Sequence, residues 1–298
     1  MPETVHDVTL GGTTLKQCEA ADYMANAEAA RHRASGAPAA ALIRANKAEP
    51  VARCQSGDLQ GVIAAMLASV NALHVAAGSI VIPYKKRATG GTYEGSSAHF
   101  TLSGTHAMNV CTEISATHQD PKGAMATVET HFYSSDGLTE PVAENTGQSV
   151  STESFNRAYA LGECDVNGSA IEFLVSARVI TGKTVVKAGW APGLYPQKVW
   201  IEEIDPKIEL TFEDFDAMAS YSALFAAMTS AAVHFRRLAD AGSYVAALTA
   251  EHARFSLGAG LWVAQGLSAK AQARGQATIV LEGKTLTSSA ASAVALSS

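Results

Sequence analysis

The sequence predicts a mainly β protein with flanking α-helices (α+β), built as two tandem antiparallel β-sandwich or barrel-like units over residues 1–150 and 151–298. Three observations predict it. Apolar and polar residues alternate along most of the chain, the period of half-buried strands. Turn signals punctuate the runs at Gly11–Gly12, Asp136–Gly137 and Asn167–Gly168. The punctuation also repeats: Gly12 and Gly168, Pro50 and Pro206, and Asp58 and Asp214 are each 156 residues apart.

The elements follow in chain order. Segment 17–36, "QCEAADYMANAEAARHRASG", is rich in Ala and Glu and has helix propensity. The repeat maps it onto 173–192, which reads as a strand entering a loop. Propensity yields to context, so a strand and a long hairpin arm are expected here. Pro50 opens a strand, where its missing N–H does little harm. Asp58 caps a helix with the stripe Leu59, Val62, Ile63, Met66, Leu67, Val70 and Leu73. Strands are expected near 80–85, 97–103 and 125–133. The polar stretch 134–154, "SSDGLTEPVAENTGQSVSTES", reads as a linker or long loop between the halves.

In the second half Ile171, Phe173, Val175, Ala177 and Val179 fall on one strand face. Val199 and Ile201 share a face, then Ile204, Ile208, Leu210 and Phe212 continue in the other parity. One extra residue exchanges the faces, so a bulge or bend is expected at Glu202–Glu203. Asp214 or Asp216 starts a second helical stripe of Met218, Tyr221, Leu224, Phe225 and Met228. Strands at 252–257 and 276–282 follow. The repeat continues at a smaller offset: 90–104, "GGTYEGSSAHFTLSG", matches 241–260, "AGSYVAALTAEHARFSLGAG", and 123–137 matches 274–285. The matches keep their order and fall at turns, strand starts and caps, which points to a tandem duplication.

Composition narrows the function. Charged residues make up 17% of the chain, below the usual quarter, as expected of a surface covered by other subunits. The net charge is −6, and no basic patch suits nucleic-acid phosphates. Lys85–Arg87, the one run of three basic residues, reads as a solvated loop. Cys18, Cys54, Cys111 and Cys164 form no CxxC pair and read as buried thiols. No secretory segment and no apolar run of about 18 residues is seen, so a soluble protein made in the cytosol is expected.

The motifs of chemistry are incomplete. "ITGKTV" (180–185) and "EGKTLT" (282–287) end like a phosphate-binding loop, but Ala177 and Thr278 stand where its first Gly is needed; both read as β-turns. His99, His106, His118 and His131 share one β-rich stretch without a metal-ligand spacing. No GxSxG elbow is present. Glu202 and Glu203 alternate across a strand, and Asp214 is explained as a cap. Asn167–Gly168–Ser169 is a glycosylation acceptor only in a secreted chain. No catalytic, cofactor-binding or metal site is therefore expected, and a structural role is.

The Gly-turn strand pair near the start, the alternating arm, the Pro-strand-Asp-helix run "DPKIELTFEDFDAM" (205–218) and the closing hairpin and strand together resemble the tail tube (major tail) proteins of long-tailed bacteriophages. The resemblance covers nearly the whole chain. It implies β-sandwich tube domains whose subunits form rings and stack through long hairpin arms around an acidic channel. Double-stranded DNA would pass there without specific binding. A duplicated chain implies three copies per ring with pseudo-sixfold symmetry, or else a hexameric ring. Other tail proteins would be partners and the virion tail the destination, with no membrane involved. Trp190, Tyr195 and Trp200, in the arm at 178–198 and its return, are the expected ring-to-ring contacts, together with the arm at 20–40. The Ala-rich 20–40 segment departs from the family's β-like arm. The other readings are another tail ring component, such as a distal tail or baseplate hub protein, a β-sandwich adhesive or carbohydrate-binding module, and an enzyme of unrecognised site.

Overall fold

A computed structural model describes residues 3–5, 7–33, 35, 38–40, 42–66, 70–118, 120, 122–150, 158–191, 193–213, 226–239, 243–246, 248–268 and 275–292. The fold is mainly β. The first half carries β1 (Glu3–Val5), β2 (Thr9–Leu10), β3 (Thr13–Thr14), β4 (Cys18–Met24), β5 (Ala27–His32), β6 (Leu42–Ala48), β7 (Val51–Ser56), helix α1 (Leu59–Ala65), β8 (His74–Lys86), β9 (Phe100–Thr117), β10 (Met125–Phe132) and β11 (Val142–Thr146). The second carries β12 (Tyr159–Val166), β13 (Ser169–Ile171), β14 (Leu174–Ile180), β15 (Lys183–Ala188), β16 (Lys198–Ile204), β17 (Lys207–Phe212), β18 (Ala227–Met228), β19 (Ala231–Arg237), β20 (His252–Leu257), β21 (Gly260–Ser268), β22 (Gln276–Gly283) and β23 (Leu286–Ser292).

Alternation decides which side chains enter the core. In β17, Ile208, Leu210 and Phe212 are fully buried while Lys207, Glu209 and Thr211 face the other way. β7 buries Ala52, Cys54 and Ser56 in the same manner. These faces feed one continuous apolar cluster that runs through both halves.

Each half contains two antiparallel ladders. One is β3-β2-β8-β9-β11 in the first half and β13-β12-β19-β20-β23 in the second. The other is β4-β7-β10-β9 and β14-β17-β22-β21. The registers correspond pair by pair. Val51 faces His131 as Lys207 faces Glu282, and Leu10 faces Ile80 as Val166 faces Ala231. Irregularities correspond too: the register shifts between Cys18 and Ala20 and between Leu174 and Ser176. It shifts again between Glu28 and Ala29 and between Thr184 and Val185, leaving Glu202 as the extra residue opposite. Gln17 and Phe173 both take positive φ, 56° and 53°. In the first half one 18-residue strand, β9, serves both ladders; in the second its place is taken by β20 and β21.

The arms are two-stranded hairpins, β5–β6 and β15–β16. The Ala-rich 17–36 segment is thus strand and arm, because β4 pairs β7 through six residue pairs and that ladder outweighs local helix propensity.

Several expectations need correction. α1 stops at Ala65, so Met66, Val70 and Leu73 do not extend its helix, and Leu67 lies outside the described residues. Asn71 exchanges hydrogen bonds with Leu286, its N–H donating to the Leu286 carbonyl at 2.7 Å and its Oδ1 accepting from the Leu286 N–H at 2.7 Å. That clamp turns the chain into β8, leaving Val70 exposed. Of the second helical stripe, 214–225 lies outside the described residues, and Met228, its last member, stands in strand β18 rather than in a helix. Phe173 does not share the buried face of Ala177 and Val179; its positive φ breaks the run and leaves it 65% exposed. Lys85–Arg87 is no solvated loop: Lys85 is buried, Lys86 pairs with Glu94 at 3.4 Å, and both Lys85 and Arg87 lie over the Tyr93 ring. The polar 134–154 stretch is only partly a loop, since β11 pairs with β9 inside it. Cys54, Cys111 and Cys164 are buried free thiols, but Cys18 is only partly buried.

Candidate assembly surfaces

The halves meet edge to edge. β14 of the second pairs with the end of β9 in the first: Ser176↔Thr117, Ala177↔Ala116, Arg178↔Ser115, Val179↔Ile114 and Ile180↔Glu113. Polar locks fix this joint. Arg178 donates to Glu113 at 2.7 Å and to Glu209 at 3.1 Å, and Thr181 Oγ1 donates to the Cys111 carbonyl at 2.6 Å. Lys183 Nζ donates to the Ala72 carbonyl, and burial pulls its pKa down to about 8. The result is an eight-stranded run, β21-β22-β17-β14-β9-β10-β7-β4, made of two four-stranded units.

Both ends of that run are open among the described residues. β4 is paired only by β7, and β21 beyond Leu261 is paired only by β22. Met24 is 50% exposed and Leu267 66%. Unpaired N–H and C=O groups beside apolar side chains make a template for another strand.

The arms differ sharply. The tip of the β15–β16 arm docks on its own chain. Its Leu194 carbonyl accepts from the Ala48 N–H at 2.8 Å, the Tyr195 N–H donates to the Gly137 carbonyl at 3.0 Å, and the Pro196 carbonyl accepts from the Ser134 N–H at 2.8 Å. The seat is the turn after Ser134. Asp136 organises it by accepting from Ser134 Oγ and from the Leu138 and Thr139 N–H groups at 2.7–2.8 Å, which holds its carboxyl well below the usual range. Gly193 permits the approach, because a Cβ there would fall on the Gly137 carbonyl. In the second half β22 and β23 are joined by Lys284 and Thr285 alone, so this connection forms no such seat among the described residues. The β5–β6 arm is correspondingly exposed, including Leu42 and Ile43.

Trp190 and Tyr195 therefore face their own chain, and Trp200, 40% exposed, faces outward. Lys47 Nζ sits 4.3 Å from the Trp190 ring centroid, while the indole N–H is buried without a hydrogen-bond acceptor. The sequence gives no sign of this, since the contact joins β6 to a loop nearly 150 residues later. Replacing Trp190 with Ala should loosen the arm tip and cost about 1–2 kcal/mol. Urea unfolding should show the loss, limited proteolysis should cut near 189–197, and far-UV circular dichroism should stay unchanged.

The four histidines are spread over separate sites. His99 Nε2 lies 2.9 Å from the Glu94 carbonyl, as His252 Nε2 lies 3.1 Å from the Ala246 carbonyl. His106 packs edge-on to Tyr133, His131 sits beside Glu129, and His118 lines an open cleft of about 670 Å³ with Glu163, Glu172 and Glu213. No group of three or more His, Cys, Asp or Glu among the described residues is placed to hold a metal ion. Of the two Gly-Lys-Thr segments, Gly182 lies in the β14–β15 connection and Gly283 ends β22 at the turn into β23. No described helix is long and apolar enough to cross a membrane.

No protein-family model matches the chain, and no curated protein is significantly similar to it.

Proposed function

We propose that this chain is a structural subunit of a bacteriophage tail tube: two copies of one tube unit, over 1–150 and 151–298, that assemble into homo-oligomeric rings stacked into a conduit for double-stranded DNA. The observation that carries this reading is the eight-stranded run of two four-stranded units with corresponding registers and bulges. Such a run, open at both ends, suits a repeating wall. Heterologous contacts that close on themselves give rings, and closure removes exposed edges. The net charge of −6 and the 17% charged fraction suit an anionic cargo that must not stick and surfaces that are largely covered.

In this reading three chains form a pseudo-sixfold ring. The exposed β5–β6 arm and Trp200 meet the next ring or other tail proteins, and the chain carries no catalytic, cofactor or metal site. Its place is the virion tail after synthesis in the host cytoplasm. Negative-stain electron microscopy of the purified protein is expected to show rings or stacked tubes. Dispersed single subunits at every concentration and salt condition would refute it.

A further inference from the structure

We infer that the joint between the two halves is repeated between copies: β4 of one copy pairs antiparallel with the free edge of β21 of a second copy, with Tyr23 opposite Leu267. This rests on the ring reading and names its contact, with the chain's own internal joint as the template. β4 and β14 occupy corresponding places, 18–24 and 174–180, each paired to the next strand with the same shift. β21 and the end of β9 also correspond: Ala277 faces Leu267 as Ala126 faces Ile114. Inside the chain, Val179 of β14 faces Ile114 of β9. The corresponding residues on the open edges are Tyr23 and Leu267, followed by Met24 opposite Gly266 and Asp22 opposite Ser268.

Burial supports the same pairing. Ile114, covered at the joint, is 1% exposed; Leu267, its counterpart with no strand on its outer side among the described residues, is 66% exposed. Tyr23 is half-buried, its ring edge-on to Phe132 at 6.2 Å. Gly266 has open space around its Cα, leaving room for the Met24 side chain opposite. The outer edges lack the internal locks, since Asp22 and Ala25 stand where Arg178 and Thr181 do. This contact would be held by a backbone ladder and apolar cover, so it is separable where the internal joint is not. The two edges lie at opposite ends of the eight-stranded run, so the contact is head-to-tail and every copy leaves one edge for the next.

Cross-linking tests the register. Directly opposed residues of an antiparallel pair have Cα atoms about 4.5–5.5 Å apart, within disulfide reach. Tyr23→Cys and Leu267→Cys proteins, mixed under mild oxidation, should give a covalent dimer that neither gives alone. The double variant should give a ladder ending at the closed ring. Glu19→Cys mixed with Leu267→Cys, four residues out of register, should give none. As a second arm, Leu267→Glu should raise the concentration at which subunits separate roughly tenfold or more, with circular dichroism unchanged. Oligomers by light scattering without the Tyr23–Leu267 link would overturn this joint and leave self-assembly standing. Monomers throughout, for the unmodified protein, would overturn both readings. A link in the out-of-register control alone would overturn the register.

Discussion

Replacing Ile114 with Ala is expected to lower the free energy of unfolding by about 3–4 kcal/mol, the middle of the range for a fully enclosed aliphatic side chain. Ile114 lies on β9 between Ala126 of β10 and Val179 of β14, where the two halves join. Its removal leaves a cavity that the hydrogen-bonded strands on both sides cannot collapse to fill. Leu267→Ala, at the corresponding place on the open edge, should cost under about 0.5 kcal/mol in a separated subunit, because the side chain is already in water. Urea titrations of the two variants, at concentrations where copies are apart, give the comparison. Equal losses would mean that the edge of β21 is covered within the chain.

Acid should destabilise the protein through His131. This residue is the last but one of β10, opposite Val51 and near the base of the first arm. Burial, with the Lys187 ammonium nearby, pulls its pKa down from 6.5 to about 4. The folded state therefore holds the neutral ring. Above pH 6.5 neither state binds the proton, and the stability is fully present. Between pH 6.5 and 4 the unfolded chain takes up a proton that the fold refuses, and stability falls with pH. Below pH 4 both states are protonated and the loss stops, at about 3 kcal/mol in total. His131→Gln should lack this component. The difference in urea-derived stability between the two proteins should shift in favour of the variant from pH 7 to pH 4. A flat difference would show that His131 is solvated in the folded protein.

The sequence by itself determined the strands and their interruptions. Period-two alternation is a local property, so β10, β17, β20 and β22 were legible, and the face change around Glu202 announced the bulge that β16 contains. Turn residues at Asn167–Gly168 were legible because positive φ, 55° and 80°, restricts which residues can stand there. Pro50 and Pro206 were legible as the residues just before β7 and β17, and Asp58 as the cap of α1, since strand starts and caps depend on single side chains. Tertiary structure decided the rest. The end of α1 depends on a clamp between Asn71 and Leu286, 215 residues apart. The docked state of one arm and the exposure of the other depend on a turn at Asp136 that, among the described residues, has no counterpart in the second half. Trp190 was legible as an aromatic seeking cover, but the cover is Lys47 of the same chain. Which edges stay open followed from neither composition nor period. Alternation says that a strand has two faces, whereas only the completed ladder order says which strand has no neighbour.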